Sequence, residues 1–67
     1  MIDFYVEGDF ITVAEKIEKI MGPKKFHLHN RIGNENWHVL RNPDRKPSRC
    51  LVMIRDPKMA TFVKLKL

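Results

Sequence analysis

Three histidines fall close together in this 67-residue chain, His27, His29 and His38. Side chains on a strand alternate between faces, so His27 and His29 would share one face of a strand. A two-residue turn at Gly33-Asn34 would then set His38 across from His29. Three imidazoles around one ion would suit Zn²⁺ with an open fourth position, and a water bound there would make hydrolysis conceivable. The patch lacks the carboxylate that orients ligating imidazoles, because Glu35 falls at the turn. The expectation is therefore histidines on a basic surface, with no metal and no cofactor.

Other chemistry is weaker still. Cys50 alternates onto the apolar side of its stretch and reads as a core thiol rather than a nucleophile. Ser48 sits in a polar, proline-bearing stretch with no base at motif spacing. Glu15 and Glu18 belong to the solvated face of a helix and make no acid/base pair. Gly8, Gly22 and Gly33 are too scattered for a phosphate-binding loop. No catalytic residue is expected, and the chain reads as a non-enzyme.

The elements that would position these groups follow from hydrophobic periodicity. Ile2, Phe4 and Val6 alternate with Asp3, Tyr5 and Glu7, which predicts a half-buried strand. Thr12-Val13-Ala14-Glu15 has capping-box spacing, and Val13, Ala14, Ile17, Ile20 and Met21 then recur at helical intervals. Gly22 suits a left-handed position after the helix, and Pro23 stops it. Lys24 to Arg41 predicts a hairpin pairing Ile32 with Glu35, Asn30 with Trp37, Leu28 with Val39 and Phe26 with Arg41. That register places Phe26, Leu28, Ile32, Trp37 and Val39 in the core. Residues 42–48 hold two prolines and no apolar residue, so they predict a loop. Cys50, Val52 and Ile54 mark another strand. Asp56-Pro57-Lys58-Met59 fits a tight turn into a last strand, on which Lys64 and Lys66 would guard an edge. The expected fold is a single α+β domain over residues 1–67: a two-layer β-α-β-β-β-β arrangement with one helix packed on a mainly antiparallel sheet.

Composition narrows the partners. The net charge is +5 and is uneven: residues 1–23 carry −3, residues 24–49 carry +5 and residues 50–67 carry +3. No apolar run approaches the roughly 18 residues of a membrane span, and the acidic N-terminus lacks the basic region of a secretory signal. A lone cysteine points to a reducing, cytoplasmic setting with no membrane partner.

One helix would leave the second sheet face uncovered, basic at several points and apolar in its middle. The leading expectation is a nucleic-acid-binding surface, with RNA or single strands preferred, because the helix offers no basic recognition face for a major groove. Its candidate contacts are His27, His29, Arg31, His38, Arg41, Arg45, Lys46, Arg49, Met53, Arg55, Phe62 and Lys64, with Tyr5 as a further platform. The alternative is a protein-binding regulator or inhibitor, of the kind viruses and mobile elements use against host defences, engaging its target or a second copy through Leu40, Leu51, Met53 and Phe62.

Overall fold

Asp9, not Thr12, starts the first helix. Its Oδ2 accepts from the backbone N–H groups of Ile11 (3.1 Å) and Thr12 (3.2 Å), two donors that the first helical turn leaves without carbonyl partners. The expected capping box therefore gives way to an earlier cap, and Phe10 becomes the first buried residue of the helix. At the other end Gly22 adopts φ +102°, and its N–H donates to the Glu18 carbonyl at 3.0 Å. Left-handed backbone of this kind is costly for any residue with a Cβ.

The computed structural model describes residues 1–42 and 49–67. Its elements are β1 (Ile2–Glu7), α1 (Phe10–Met21), β2 (Phe26–His27), β3 (Arg31–Gly33), β4 (Trp37–Arg41), β5 (Arg49–Ile54) and α2 (Pro57–Lys66). The strands form one antiparallel sheet in the order β1-β5-β4-β3-β2. The fold is α+β, as expected, with two departures.

The first departure is that Lys24–Arg41 forms two hairpins rather than one. The Leu28 N–H donates to the Arg31 carbonyl at 2.7 Å, so the chain reverses at His29-Asn30 and β2 returns alongside β3. The second reversal lies two residues beyond the expected Gly33-Asn34 turn, with the Asn34 N–H donating to the Trp37 carbonyl at 2.9 Å, and is held by the Asn34 side chain. Its Oδ1 accepts from the N–H groups of Asn36 (2.7 Å) and Trp37 (3.2 Å), and its Nδ2 donates to the Pro23 carbonyl (3.0 Å). The short Asn side chain here holds the turn where a backbone pair would otherwise be needed. The resulting register pairs Arg31 with Leu40, Ile32 with Val39 and Gly33 with His38. Gly33 is not left-handed as a II′ turn would require; it is needed because a Cβ there would run into the Trp37 carbonyl oxygen.

The second departure is α2, which replaces the expected last strand. Asp56 Oδ1 accepts from the Lys58 N–H at 3.0 Å and Pro57 occupies the first turn, so the Asp-Pro pair is a helix start rather than a strand turn. Lys64 and Lys66 consequently lie on a helix, not on a strand edge. α2 adds Ala60 and Val63 to the same core that α1 feeds with Phe10, Val13, Ala14 and Ile17.

That core lies on one side of the sheet. Along β5, Cys50, Val52 and Ile54 are fully buried, while the alternate Arg49, Leu51 and Met53 are only half-buried. Trp37 is fully buried, and its indole N–H donates to the Gly22 carbonyl at 3.2 Å, which ties the end of α1 to the sheet. Both helices thus serve one face, and no described element packs on the other.

Candidate functional site

Strand pairing arranges the open face in rows running across the sheet. One row is Tyr5, Leu51, Leu40 and Arg31; the next is Asp3, Met53, His38, Gly33 and Phe26; Glu7 and Arg49 form a third at the sheet's end. Leu40, Leu51, Met53, His38 and Phe26 are half-buried, whereas Tyr5 is 48% exposed. The centre of the face is therefore apolar and accessible, with an aromatic ring toward each lateral edge. Five strands at about 4.8 Å spacing put β1 and β2, and so those two rings, roughly 19 Å apart.

Each ring carries an arginine. The Arg49 guanidinium lies 4.3 Å from the centre of the Tyr5 ring, and that of Arg31 lies 5.1 Å from the centre of Phe26. Such cation–π contacts hold a guanidinium flat against its ring. Phe26 also meets the His38 ring, centroids 5.5 Å apart and tilted 41°, by reaching across the bare backbone of Gly33. Burial, and then the charge of Arg31, hold the His38 pKa below its ordinary value. His38 is thus neutral at pH 7 and can both donate and accept a hydrogen bond.

The structure sorts the expected site residues onto several surfaces. Arg31, His38, Arg49 and Met53 share the open face. His27 does not: it pairs with Ile32, faces the helix side, and lines a small cleft with Ile11, Glu15 and Glu18. His29 sits in the turn between β2 and β3, where its carbonyl accepts from Arg41 Nε at 2.8 Å. The expected convergence of three imidazoles is therefore absent. The break in the strand after His27 flips one residue and moves another off the sheet. Among the described residues no cluster of three or more His, Cys, Asp or Glu side chains gathers that could hold a metal.

Arg41 also belongs to the helix side, its guanidinium 4.6 Å from the Phe10 ring centre. Arg55 follows β5 and donates its backbone N–H to the Asn36 carbonyl at 3.0 Å. It lines a cleft of about 580 Å³ between the helix ends, with Ile20, Met21, Asn36, Asp56 and Met59. Phe62 and Lys64 are on α2, away from the open face; Lys64 Nζ lies 4.7 Å from the Phe4 ring centre. Arg45 and Lys46 lie outside the described residues.

Phe26 and Leu28 are expected in the core and are not there: Phe26 lies on the open face and Leu28 is 50% exposed. The signal for Phe26 was Gly33, since a glycine within a strand leaves a gap that a cross-strand aromatic fills. No helix among the described residues is long and apolar enough to cross a membrane. Set against protein-family models, curated proteins and solved structures, the chain matches none.

Proposed function

We propose that this domain is a non-catalytic binding module whose open sheet face takes single-stranded nucleic acid, RNA foremost. The observation that carries the reading is the pairing of each open-face ring with an arginine, Tyr5 with Arg49 and Phe26 with Arg31. An unpaired base can stack on such a ring or its guanidinium, and the same guanidinium neutralises the neighbouring phosphate. Between the two platforms, Leu40, Leu51 and Met53 offer an apolar floor that excludes water from the stacked bases. Duplex reading is not favoured, because an α1 outer face of alternating Glu15, Lys16, Glu18 and Lys19 carries no net charge for a groove. A reducing, cytoplasmic setting suits the free, buried Cys50.

The test is fluorescence polarisation with a 5′-labelled single-stranded RNA of roughly a dozen nucleotides, a length within the range such sheet-face binders span. Tyr5→Ala and Phe26→Ala should each weaken binding by about 5- to 100-fold, the range of one lost base stack. The affinity should fall with salt at a log–log slope of about −0.7 for each phosphate neutralised. Absence of binding at low salt, or binding indifferent to both substitutions, rejects the reading.

A second reading has its own support. Leu40, Leu51 and Met53 form a contiguous half-buried apolar centre on the same face, which also suits a protein target or a second copy of the chain. On that reading Met53→Asp abolishes association, and sedimentation of a concentration-independent monomer that recovers no protein target in affinity capture counts against it.

A further inference from the structure

β1 is a sheet edge with little of the usual protection, its charged side chains being the two acids Asp3 and Glu7. It runs for six residues in unbroken register with β5, so no bulge twists it away. It contains no Lys, Arg or Pro, and among the described residues no element pairs with its outer side. The opposite edge shows what protection looks like: β2 is two residues long and follows directly on Lys24 and Lys25. An open strand edge presents alternate backbone N–H and C=O groups to any extended chain of fitting side chains.

The side chains of β1 state what fits. Ile2, Phe4 and Val6 line the helix side, and Asp3, Tyr5 and Glu7 line the open-face side. In a chain of net charge +5, this strand carries two acids and no base. Pairing with a second copy is disfavoured in both of the registers that use most of the strand. Centred on Tyr5, antiparallel self-pairing sets Asp3 against Glu7 of the other copy. Centred on Phe4, it sets the two Phe4 rings side by side, each with its own Lys64 ammonium 4.7 Å from its centre, so two like charges lie on one side of the joined sheet.

We propose that the β1 edge is a docking site for an extended protein segment in which basic and apolar residues alternate. The segment adds as a sixth antiparallel strand. Its basic side chains lie opposite Asp3 and Glu7, and its apolar ones extend the row made by Ile2, Phe4 and Val6. The site uses the outer backbone edge of β1 and borders the open sheet face at Asp3, Tyr5 and Glu7.

The probe is a synthetic hexapeptide alternating lysine and valine, titrated at 150 mM salt and followed by amide chemical shifts. The expected result is shift changes confined to Ile2–Glu7 and their β5 partners. N-methylation of alternate peptide amides should weaken binding at least tenfold, because it removes the ladder hydrogen bonds while keeping the charge. The double change D3K/E7K, checked for folding by circular dichroism, should lose the lysine peptide at least tenfold and accept its glutamate–valine counterpart. Equal binding of the N-methylated peptide would reduce the effect to charge adsorption and overturn the proposal. No binding, shifts centred elsewhere, or a dimer formed through β1 would overturn it as well.

Discussion

Asn34 offers the sharpest test of how the fold is held. The residue is 6% exposed, and its side chain makes three hydrogen bonds, two accepted from Asn36 and Trp37 and one donated to Pro23. Asn34→Ala removes all three. Pro23 and Asn36 are exposed, so their backbone groups can turn to water at little cost. The Trp37 N–H cannot, because Trp37 is fully buried. A buried donor left without a partner costs about 1–3 kcal/mol, and loosening a turn that also ties Pro23 to the sheet adds to it. The expected loss is about 2–3 kcal/mol, a large share of the ~5–15 kcal/mol that holds a domain together. For a chain of this size that lowers Tm by about 10–20 °C. Urea unfolding followed by Trp37 fluorescence measures it directly. Asn34→Asp keeps the acceptor for Trp37 and loses only the donor to Pro23, so it should cost clearly less than Asn34→Ala. A loss below about 0.5 kcal/mol for Asn34→Ala, the scatter of ordinary surface changes, would refute the argument that this side chain builds the turn.

Two further outcomes follow from titratable groups. His38 has a folded-state pKa below its ordinary 6.5, so the unfolded chain takes up the proton first as pH falls. Its contribution to stability should be fully present above pH 6.5 and decline below it until the folded form also protonates. His38→Gln should flatten that decline, and a wild-type-minus-variant difference constant from pH 7.5 to 5 would contradict it. Burial, and then the charge of Asp9, push the Cys50 thiol up to about 11. In native buffer at pH 8 a thiol reagent should label it only as fast as the domain opens, whereas full labelling within the dead time of mixing would show that the thiol is not buried.

Much of the core was legible because a strand register moved by an even number of residues leaves each side chain on its face. The expected hairpin had the wrong turn, yet Ile32, Trp37 and Val39 remained core residues, since the true pairing differs by such an even slide. Phe26, His27 and Leu28 were not protected in this way. The reversal at His29-Asn30 breaks the strand, which puts Phe26 on the open face and leaves Leu28 half exposed. α2 was hidden by an ambiguity in its sequence. Val63-Lys64-Leu65-Lys66-Leu67 alternates like a strand, but Asp56 and Pro57 supply a cap and a first turn, and Ala60 and Val63 need only one turn of helix to meet the core. The open face was inferred from the count of helices. Its true membership depended on turns that no periodicity specifies.

The placement of both helices on one side divides the labour of the strands residue by residue. Along β5, Cys50, Val52 and Ile54 are locked by packing, while Arg49, Leu51 and Met53 between them carry no helix. The same strand therefore bears two sets of positions with different tolerance of mutation. The half-buried set has room to change, whereas the fully buried set cannot lose even a methylene unnoticed. On the proposed function, selection for stability and selection for recognition would act on alternate letters of one short stretch.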